Sequence, residues 1–183
     1  MKQYLQKSKT DKINEAQNTI LYFFIFAFMG WTLETFYSLI VLGHFTKRGF
    51  LFGPLCPIYG YSALIMIAFF KKYKNNSLKL FFHSVIIFSG FEYLAGFALD
   101  ALFAIRLWDY RQDFFNLNGR ISIFYSLSWG IIAILFVNHI FPFIEKKVNI
   151  LLKNIPLIFQ SITTFFLVFI YSIDTIISFI RWR

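Results

Sequence analysis

Five apolar segments, separated by short polar stretches, dominate the pattern of residues along this chain. They cover residues 19–42, 50–70, 78–105, 121–141 and 155–180. As α-helices, which rise about 1.5 Å per residue, such segments approach or exceed the roughly 30 Å thickness of a hydrocarbon core. The pattern therefore predicts an all-α fold, a polytopic transmembrane helix bundle with about five spans.

The second segment is predicted to be irregular at its start. Residues 57–70 alone would form a helix of about 21 Å, which is too short to span. Residues 50–56 contain Gly53 and Pro54, which interrupt helical hydrogen bonding. A broken backbone at membrane depth is tolerated only where protein or a wet cavity supplies its hydrogen-bond partners. The sequence leaves open whether residues 50–70 cross the membrane or re-enter on one side.

Prolines mark two further boundaries. Pro142 is predicted to close the fourth segment, because proline removes an N–H donor and clashes with the preceding turn. Pro156 is predicted to open the fifth segment, at a first-turn position where the missing N–H costs nothing. With no internal repeat and no linker, residues 18–183 are predicted to form a single transmembrane domain, and the polar residues 1–17 a cytoplasmic tail.

The composition excludes several classes of protein. Hydrophobic residues make up 58% of the chain and charged residues only 15%, and the mean hydropathy is +0.61. These values argue against a soluble enzyme, a disordered chain and a disulfide-stapled secreted domain. The single cysteine, Cys56, cannot form an internal disulfide, and no Cys/His spacing resembles a metal site. We therefore expect no metal and no cofactor.

The net charge of +9 indicates contact with a lipid bilayer rather than with nucleic acid, because the cations lie mostly between the apolar segments. With five spans and a cytoplasmic N-terminus, 11 Lys and Arg residues lie inside and 7 outside. The positive-inside rule favours this arrangement. It predicts a multi-pass protein of the cytoplasmic membrane with the C-terminus outside. All the inner cations are Lys, whereas the outer ones are mainly Arg, which suits bidentate pairing in structured loops.

Ionisable groups within apolar segments cost a few kcal/mol each and are candidates for function. Three carboxylates stand out: Glu34, Glu92 and Asp100. The last two share one helical face with Gly96, which opens a groove there. One interpretation is that the carboxylates pair with Arg48, Arg106 or Arg120 and hold the bundle together. The other is a substrate-binding site or proton relay formed by Glu34, Arg48, Glu92 and Asp100. Both predict that the carboxylates face inward and converge.

A polar seam follows the fifth segment. Its members are spaced by 4, 3, 4, 3 and 4 residues, a single face of a helix: Gln160, Thr164, Leu167, Tyr171, Asp174 and Ser178. Polar groups on a membrane helix are satisfied by hydrogen bonds to neighbouring protein. We expect this face to pack against the bundle or in a dimer contact.

The loop at residues 106–120 reads RLWDYRQDFFNLNGR. Its aromatic residues suit a membrane interface, which is the simplest interpretation. Near-balanced charges and the turn signal Asn118–Gly119 also suit internal ion pairs. We therefore predict a folded cap over the helices rather than a passive linker.

Three sequence blocks together resemble one family. They are GWTLE (30–34), KRGFLFGPLCPIYG (47–60) and the stretch from Glu92 through WDYR and NLNGR to SLSWG, which ends at residue 130. Over roughly residues 18–140 the chain resembles the CmpB-like membrane family of ABC-transporter type. Besides Glu34, Arg48 and Glu92, the matching positions are Gly30, Trp31, Gly49, Gly53, Pro54, Cys56, Pro57, Tyr59, Gly60, Trp108, Asp109, Tyr110, Asn116, Gly119, Arg120, Trp129 and Gly130. Arg111 and Asp100 depart from the family pattern, and the tail beyond Pro142 is expected to lie outside it.

The resemblance implies an ABC-type permease or transporter subunit. The chain has no G-x-x-x-x-G-K-[ST] loop, so an ATPase subunit would have to act in trans. Five spans are few for a complete permease, which implies a homo-oligomer or another partner. One alternative is a structural or accessory membrane protein. Another is a membrane-embedded enzyme acting on lipid or envelope precursors, but no known catalytic motif is present, so we do not expect an enzyme.

Overall fold

The computed structural model describes residues 2–47, 49–104, 106 and 108–181, and the side chains among them from residue 13 onwards except at 103. The chain is almost entirely helical, as predicted. Its helices are α1 (Lys2–Leu42), α2 (Pro57–Phe70), α3 (Ser77–Phe103), α4 (Ile123–Leu135), α5 (Phe141–Lys153) and α6 (Leu157–Arg181). A 3-10 turn at Lys71–Tyr73 follows α2, and a π-helical turn at Phe136–Ile140 joins α4 to α5. Two short antiparallel strands, β1 (Asn116–Leu117) and β2 (Ile121–Ser122), form a hairpin before α4.

Within the described residues, four helical stretches are long and apolar enough to cross a membrane. They are Ile13–Leu42, Ser77–Leu102, Ile123–Lys153 and Leu157–Arg181, which correspond to the first, third, fourth and fifth predicted segments. The second segment is irregular up to residue 56 and then forms the 14-residue helix α2. The predicted irregular start is therefore confirmed.

Pro142 does not end the fourth segment, contrary to the prediction. Helical backbone continues from Ile123 to Lys153. The π-helical turn directly before the proline explains the difference, because there the N–H of Phe141 bonds to the carbonyl of Phe136, five residues earlier. This wider turn gives the proline ring the space that a regular α-helix denies it.

The chain divides into two compact units, and each is described by itself. The first consists of residues 1–65 and 147–183. In it α1 packs along α6, where the amide of Gln17 donates a hydrogen bond of 2.5 Å to Ser161 Oγ. Further along the same helices, the ring of Tyr171 contacts Phe23 and Phe24 with centroid distances of 5.4 and 5.8 Å.

The second unit, residues 66–146, is built on the pairing of α3 with α4. Phe88 stacks on Trp129 with ring centroids 4.9 Å apart. Gly130 lies so close to the ring of Phe81 and to Val85 that no side chain fits there. Close packing of these two helices brings the loop between them, residues 104–122, over their shared end.

The contact between α1 and the start of α2 depends on a glycine. A Cβ at Gly60 would lie 2.6 and 2.8 Å from ring atoms of Phe23 and 2.8 Å from its carbonyl oxygen. Gly60→Ala is therefore expected to destabilise the protein by roughly 1–3 kcal/mol through overpacking. Gly90→Ala in α3 is the matched control, because nothing lies within 4 Å of its Cβ position. Thermal unfolding in detergent measures both, and equal midpoints would contradict the close approach.

Candidate functional site

Glu34 lies on α1, is partly exposed, and accepts a hydrogen bond from the hydroxyl of Tyr59, with 2.6 Å between Oε1 and the hydroxyl oxygen. Gly30, one turn earlier on the same face, packs directly against the side chain of Tyr59, where a Cβ atom would clash with the ring. The glycine thus lets the ring reach the carboxylate. The neighbouring motif residue Trp31 stacks on Phe28 of the same helix, with centroids 6.0 Å apart.

The irregular segment, residues 49–56, is held by bonds to both long helices of the first unit. The N–H of Cys56 donates to the carbonyl of Ala27 on α1 at 3.0 Å, and its thiol is buried. A Cβ at Gly49 would lie 2.9 Å from the sulfur of Cys56, and φ at Gly49 is +82°, so glycine suits this position on both grounds. The segment is a defined structure that ends where Pro57 begins α2.

Asp174 on α6 supplies hydrogen-bond acceptors for backbone N–H groups of the irregular segment. Its Oδ1 accepts from the N–H of Phe52 and its Oδ2 from the N–H of Gly53, each at 2.9 Å. The hydroxyl of Ser178 donates to the same carboxylate at 3.2 Å. The sequence analysis placed Asp174 in the polar seam but did not select it as a site residue, although an acid in the middle of an apolar span was the available signal.

The polar seam of α6 faces protein, as predicted. Thr164 and Ser178 are buried, and Tyr171 lies 3.5 Å from the hydroxyl of Tyr61. Gln160 donates from Nε2 to the carbonyls of Leu152 and Ile155 at 3.1 and 2.7 Å. Gln160 therefore provides hydrogen-bond donors for backbone carbonyl groups at the end of α5 and just before α6.

Glu92 on α3 connects the loop to α4 within the second unit. The hydroxyl of Tyr110 donates to Oε1 at 2.9 Å, and the indole N–H of Trp129 donates to Oε2 at 3.1 Å. The ring of Tyr110 also stacks on Tyr125 with centroids 4.4 Å apart. Burial, together with the hydrogen bond to Glu92, raises the pKa of Tyr110, so its hydroxyl stays a donor across the neutral range.

Asp100, two turns further along α3, forms an ion-pair cluster. Its Oδ2 accepts from Arg106 at 3.0 Å and from Arg120 at 2.9 Å. The guanidinium of Arg120 also lies over the rings of Tyr93 and Phe97, 5.6 and 5.4 Å from their centroids. The adjoining cleft has a cavity volume of about 10 Å³, which is room for about one water molecule. Asp100 thus pairs with Arg106 and Arg120, as one of the two interpretations expected of all three carboxylates, whereas Glu34 and Glu92 receive their hydrogen bonds from Tyr59, Tyr110 and Trp129.

The loop 106–120 is a folded cap, as predicted. The indole of Trp108 donates to the carbonyl of Arg120 at 2.9 Å, and Gly96 leaves the space on α3 in which both residues pack. Asn116 bridges the hairpin: its Nδ2 donates to the carbonyl of Asp113 at 2.9 Å, and its Oδ1 accepts from the N–H of Gly119 at 3.1 Å. Gly119 has φ +69°, which confirms the predicted turn.

Arg111 and Asp109 form an exposed ion pair on the surface of the cap. Arg111 Nε lies 2.8 and 3.0 Å from the two carboxylate oxygens of Asp109. Hydrogen bonds from the side chain and the backbone N–H of Arg111 lower the pKa of Asp109 to about 2. Because this folded-state value lies below the ordinary value near 4, the pair stabilises the loop above pH 4 and is lost as the pH falls toward 2. Arg111, which departs from the family pattern, thus has a local structural role.

The predicted convergence of the carboxylates stays a prediction. Glu34 belongs to the first unit, and Glu92 and Asp100 to the second. Arg48 lies outside the described residues. Among the residues whose side chains are described, no cluster of His, Cys, Asp and Glu could hold a metal ion.

These long apolar helices define a membrane protein with several transmembrane helices. The sequence profile of the family described as "Putative ABC-transporter type IV" matches residues 21–179, and the chain belongs to that family. The match continues past Pro142, so the expectation that the tail lies outside the family pattern was wrong; α6 carries Asp174, which holds the irregular segment. No curated protein and no solved structure matches the chain.

Replacing Asp174 by alanine is expected to loosen the irregular segment. Two backbone N–H groups would lose their acceptor, at a cost of roughly 1–3 kcal/mol for each group left unsatisfied. The single thiol, Cys56, is only 4% exposed and reports the opening, so Asp174→Ala should speed its reaction with a maleimide by at least about tenfold. Asp113→Ala in the cap removes an equal charge from the other unit. Equal labelling rates in both variants would show that Asp174 does not hold the segment.

Two of the three arginines of the cap, Arg111 and Arg120, offer a matched pair. Arg120 is 18% exposed and bonded to Asp100, whereas Arg111 is 65% exposed and bonded to Asp109. Because exposed pairs contribute little, Arg120→Gln is expected to lower the unfolding midpoint and Arg111→Gln to leave it nearly unchanged. Differential scanning fluorimetry in detergent measures both midpoints, and the reverse order would argue against Arg120 as the anchor of the cap.

Proposed function

We propose that this chain is the transmembrane permease subunit of an ABC-type transporter whose ATPase is a separate protein. Membership of the family supports the proposal, and the chain itself lacks a phosphate-binding loop. Four long apolar helices are also few for a complete translocation path, so the working unit in this proposal is a homo-oligomer or a complex.

The proposal rests on one observation about Glu34 and Glu92. Each lies within an apolar helix, and the hydrogen bonds recorded for its carboxylate come from neutral donors, Tyr59 for the first and Tyr110 and Trp129 for the second. Within the part of the chain that the structure describes, the carboxylates in salt bridges are instead those of Asp100, Asp109 and Glu145.

A carboxylate with neutral donors in a low-dielectric setting keeps an uncompensated charge unless it is protonated or meets a cation. We therefore assign to Glu34 and Glu92 the binding of a proton or of a cationic group of the substrate. Asp100 in this proposal is structural, since its charge is already paired. Arg48 remains a proposed member of the site on the strength of the sequence motif alone.

The proposed orientation follows the positive-inside rule. The protein would lie in the cytoplasmic membrane with residues 1–17 as a cytoplasmic tail and residues 18–183 as one transmembrane domain. In this arrangement residues 50–70 form a fifth crossing, which places the C-terminus outside. The Lys-rich stretches 71–79 and 142–154 would then face the cytoplasm, where a separate ATPase has access to them.

The first test is purification of the tagged protein from its native membrane. We expect a P-loop ATPase to co-purify in fixed proportion and the complex to hydrolyse ATP. Glu34→Gln and Glu92→Gln are expected to reduce substrate-stimulated hydrolysis by roughly tenfold or more, because each removes a group that binds a proton or a cation. Asp113→Asn is the control, since it removes one acid from the cap. Unchanged stimulation in both glutamine variants would reject the carboxylate site, whereas absence of any ATPase would reject the permease role.

The second candidate is a structural or accessory membrane protein. The observation that favours it is the ion-pair cluster of Asp100, Arg106 and Arg120, which with its small cleft serves packing rather than ligand binding. Constant co-purification of a membrane complex without ATPase activity would support this candidate over the first.

A further inference from the structure

Phe52, in the irregular segment, lies beside two cations. The ammonium of Lys47 is 4.0 Å from the centroid of its ring, and the guanidinium of Arg181 is 4.9 Å from it. Lys47 comes from the polypeptide before the segment, whereas Arg181 lies in the last turn of α6. Two distant parts of the first unit thus bring positive charge to one exposed ring.

Neither cation is neutralised within the described residues, where the salt bridges involve other side chains. A ring quadrupole attracts a cation but does not cancel its charge. Asp174, which contacts the same segment, is occupied by the N–H groups of Phe52 and Gly53 and by Ser178. The surface around Phe52 therefore keeps two positive charges that remain available to an anion.

An apolar stripe leads along α6 to this surface. Ile170, Ile173 and Ile177 precede Arg181 at spacings of 3, 4 and 4 residues, so the four side chains share one helical face. The isoleucines are 48%, 42% and 50% exposed. Arg181 stands where the membrane-spanning helix ends, so the charged surface lies at the level of lipid head groups while the stripe lies along the acyl chains.

We propose that Lys47 and Arg181, arranged around Phe52, bind the phosphate of an anionic phospholipid whose acyl chain lies along the isoleucine stripe of α6. The phosphate accepts hydrogen bonds from the ammonium and the guanidinium, and the chain covers apolar surface that the first unit leaves exposed. This site is independent of the proposed transport function, because it uses neither Glu34 nor Glu92.

The test is native mass spectrometry of the detergent-purified full chain with short-chain lipids. We expect dioctanoyl phosphatidylglycerol to bind more tightly than dioctanoyl phosphatidylcholine. The double substitution Lys47→Gln with Arg181→Gln should weaken phosphatidylglycerol by roughly thirtyfold and leave phosphatidylcholine unchanged. Lys74→Gln with Lys153→Gln removes the same charge elsewhere and should cost less than about threefold.

Further arms separate the alternatives. Phe52→Leu, which keeps apolar surface but removes the ring, should weaken phosphatidylglycerol several-fold and provides a second variant if the double substitution does not fold. Glycerol 3-phosphate, which has the charge without the chains, should bind far more weakly. Equal affinity of phosphatidylglycerol for the wild type and the Lys47/Arg181 variant would overturn the proposal. So would an equal loss in the control pair, or glycerol 3-phosphate binding as tightly as the lipid.

Discussion

Backbone N–H groups that lack acceptors within a bilayer cost several kcal/mol each, and this constraint governs the first unit. Gly49, Gly53 and Pro54 prevent residues 49–56 from forming a helix, so their backbone groups need partners from elsewhere. Asp174 supplies two acceptors to Phe52 and Gly53, and Ala27 supplies one to Cys56. The irregular segment therefore depends on the polar seam of α6 for its hydrogen-bond acceptors. The family match extends through most of α6, the helix that holds the irregular segment.

Four acids of the helices, Glu34, Glu92, Asp100 and Asp174, fall into two chemical groups. Asp100 and Asp174 are satisfied, the first by Arg106 and Arg120 and the second by backbone N–H groups and Ser178. Glu34 and Glu92 receive hydrogen bonds from neutral aromatic side chains that do not compensate an ionised charge. An acid retained at membrane depth without compensation costs stability, so such residues are the ones for which a functional reason is required.

Much of the fold followed from local chemistry in the sequence. Apolar length identified the spans, the glycine and prolines of residues 50–57 identified the irregular segment, and Asn118–Gly119 identified the turn in the cap. The continuation of helix through Pro142 was missed because a π-helical turn depends on packing that one sequence does not reveal. Asp174 was missed as a site residue for a similar reason. A polar seam indicates a protein-facing surface, but the partner, a backbone 121 residues away, is decided only by tertiary structure.

Each of the two glutamates joins separate elements of its own unit. Glu34 on α1 binds Tyr59 in the first turn of α2, and the irregular segment directly before that helix is bonded to α6. Glu92 on α3 binds Tyr110 of the cap and Trp129 of α4. In the proposed site, a cationic group of the substrate that approached either carboxylate would compete with these neutral donors, because a charged partner binds a carboxylate more strongly than a neutral one. Occupancy of the proposed site would thus be coupled to the packing of the elements around each glutamate, which is the physical requirement for a group that converts a binding event into a movement of helices.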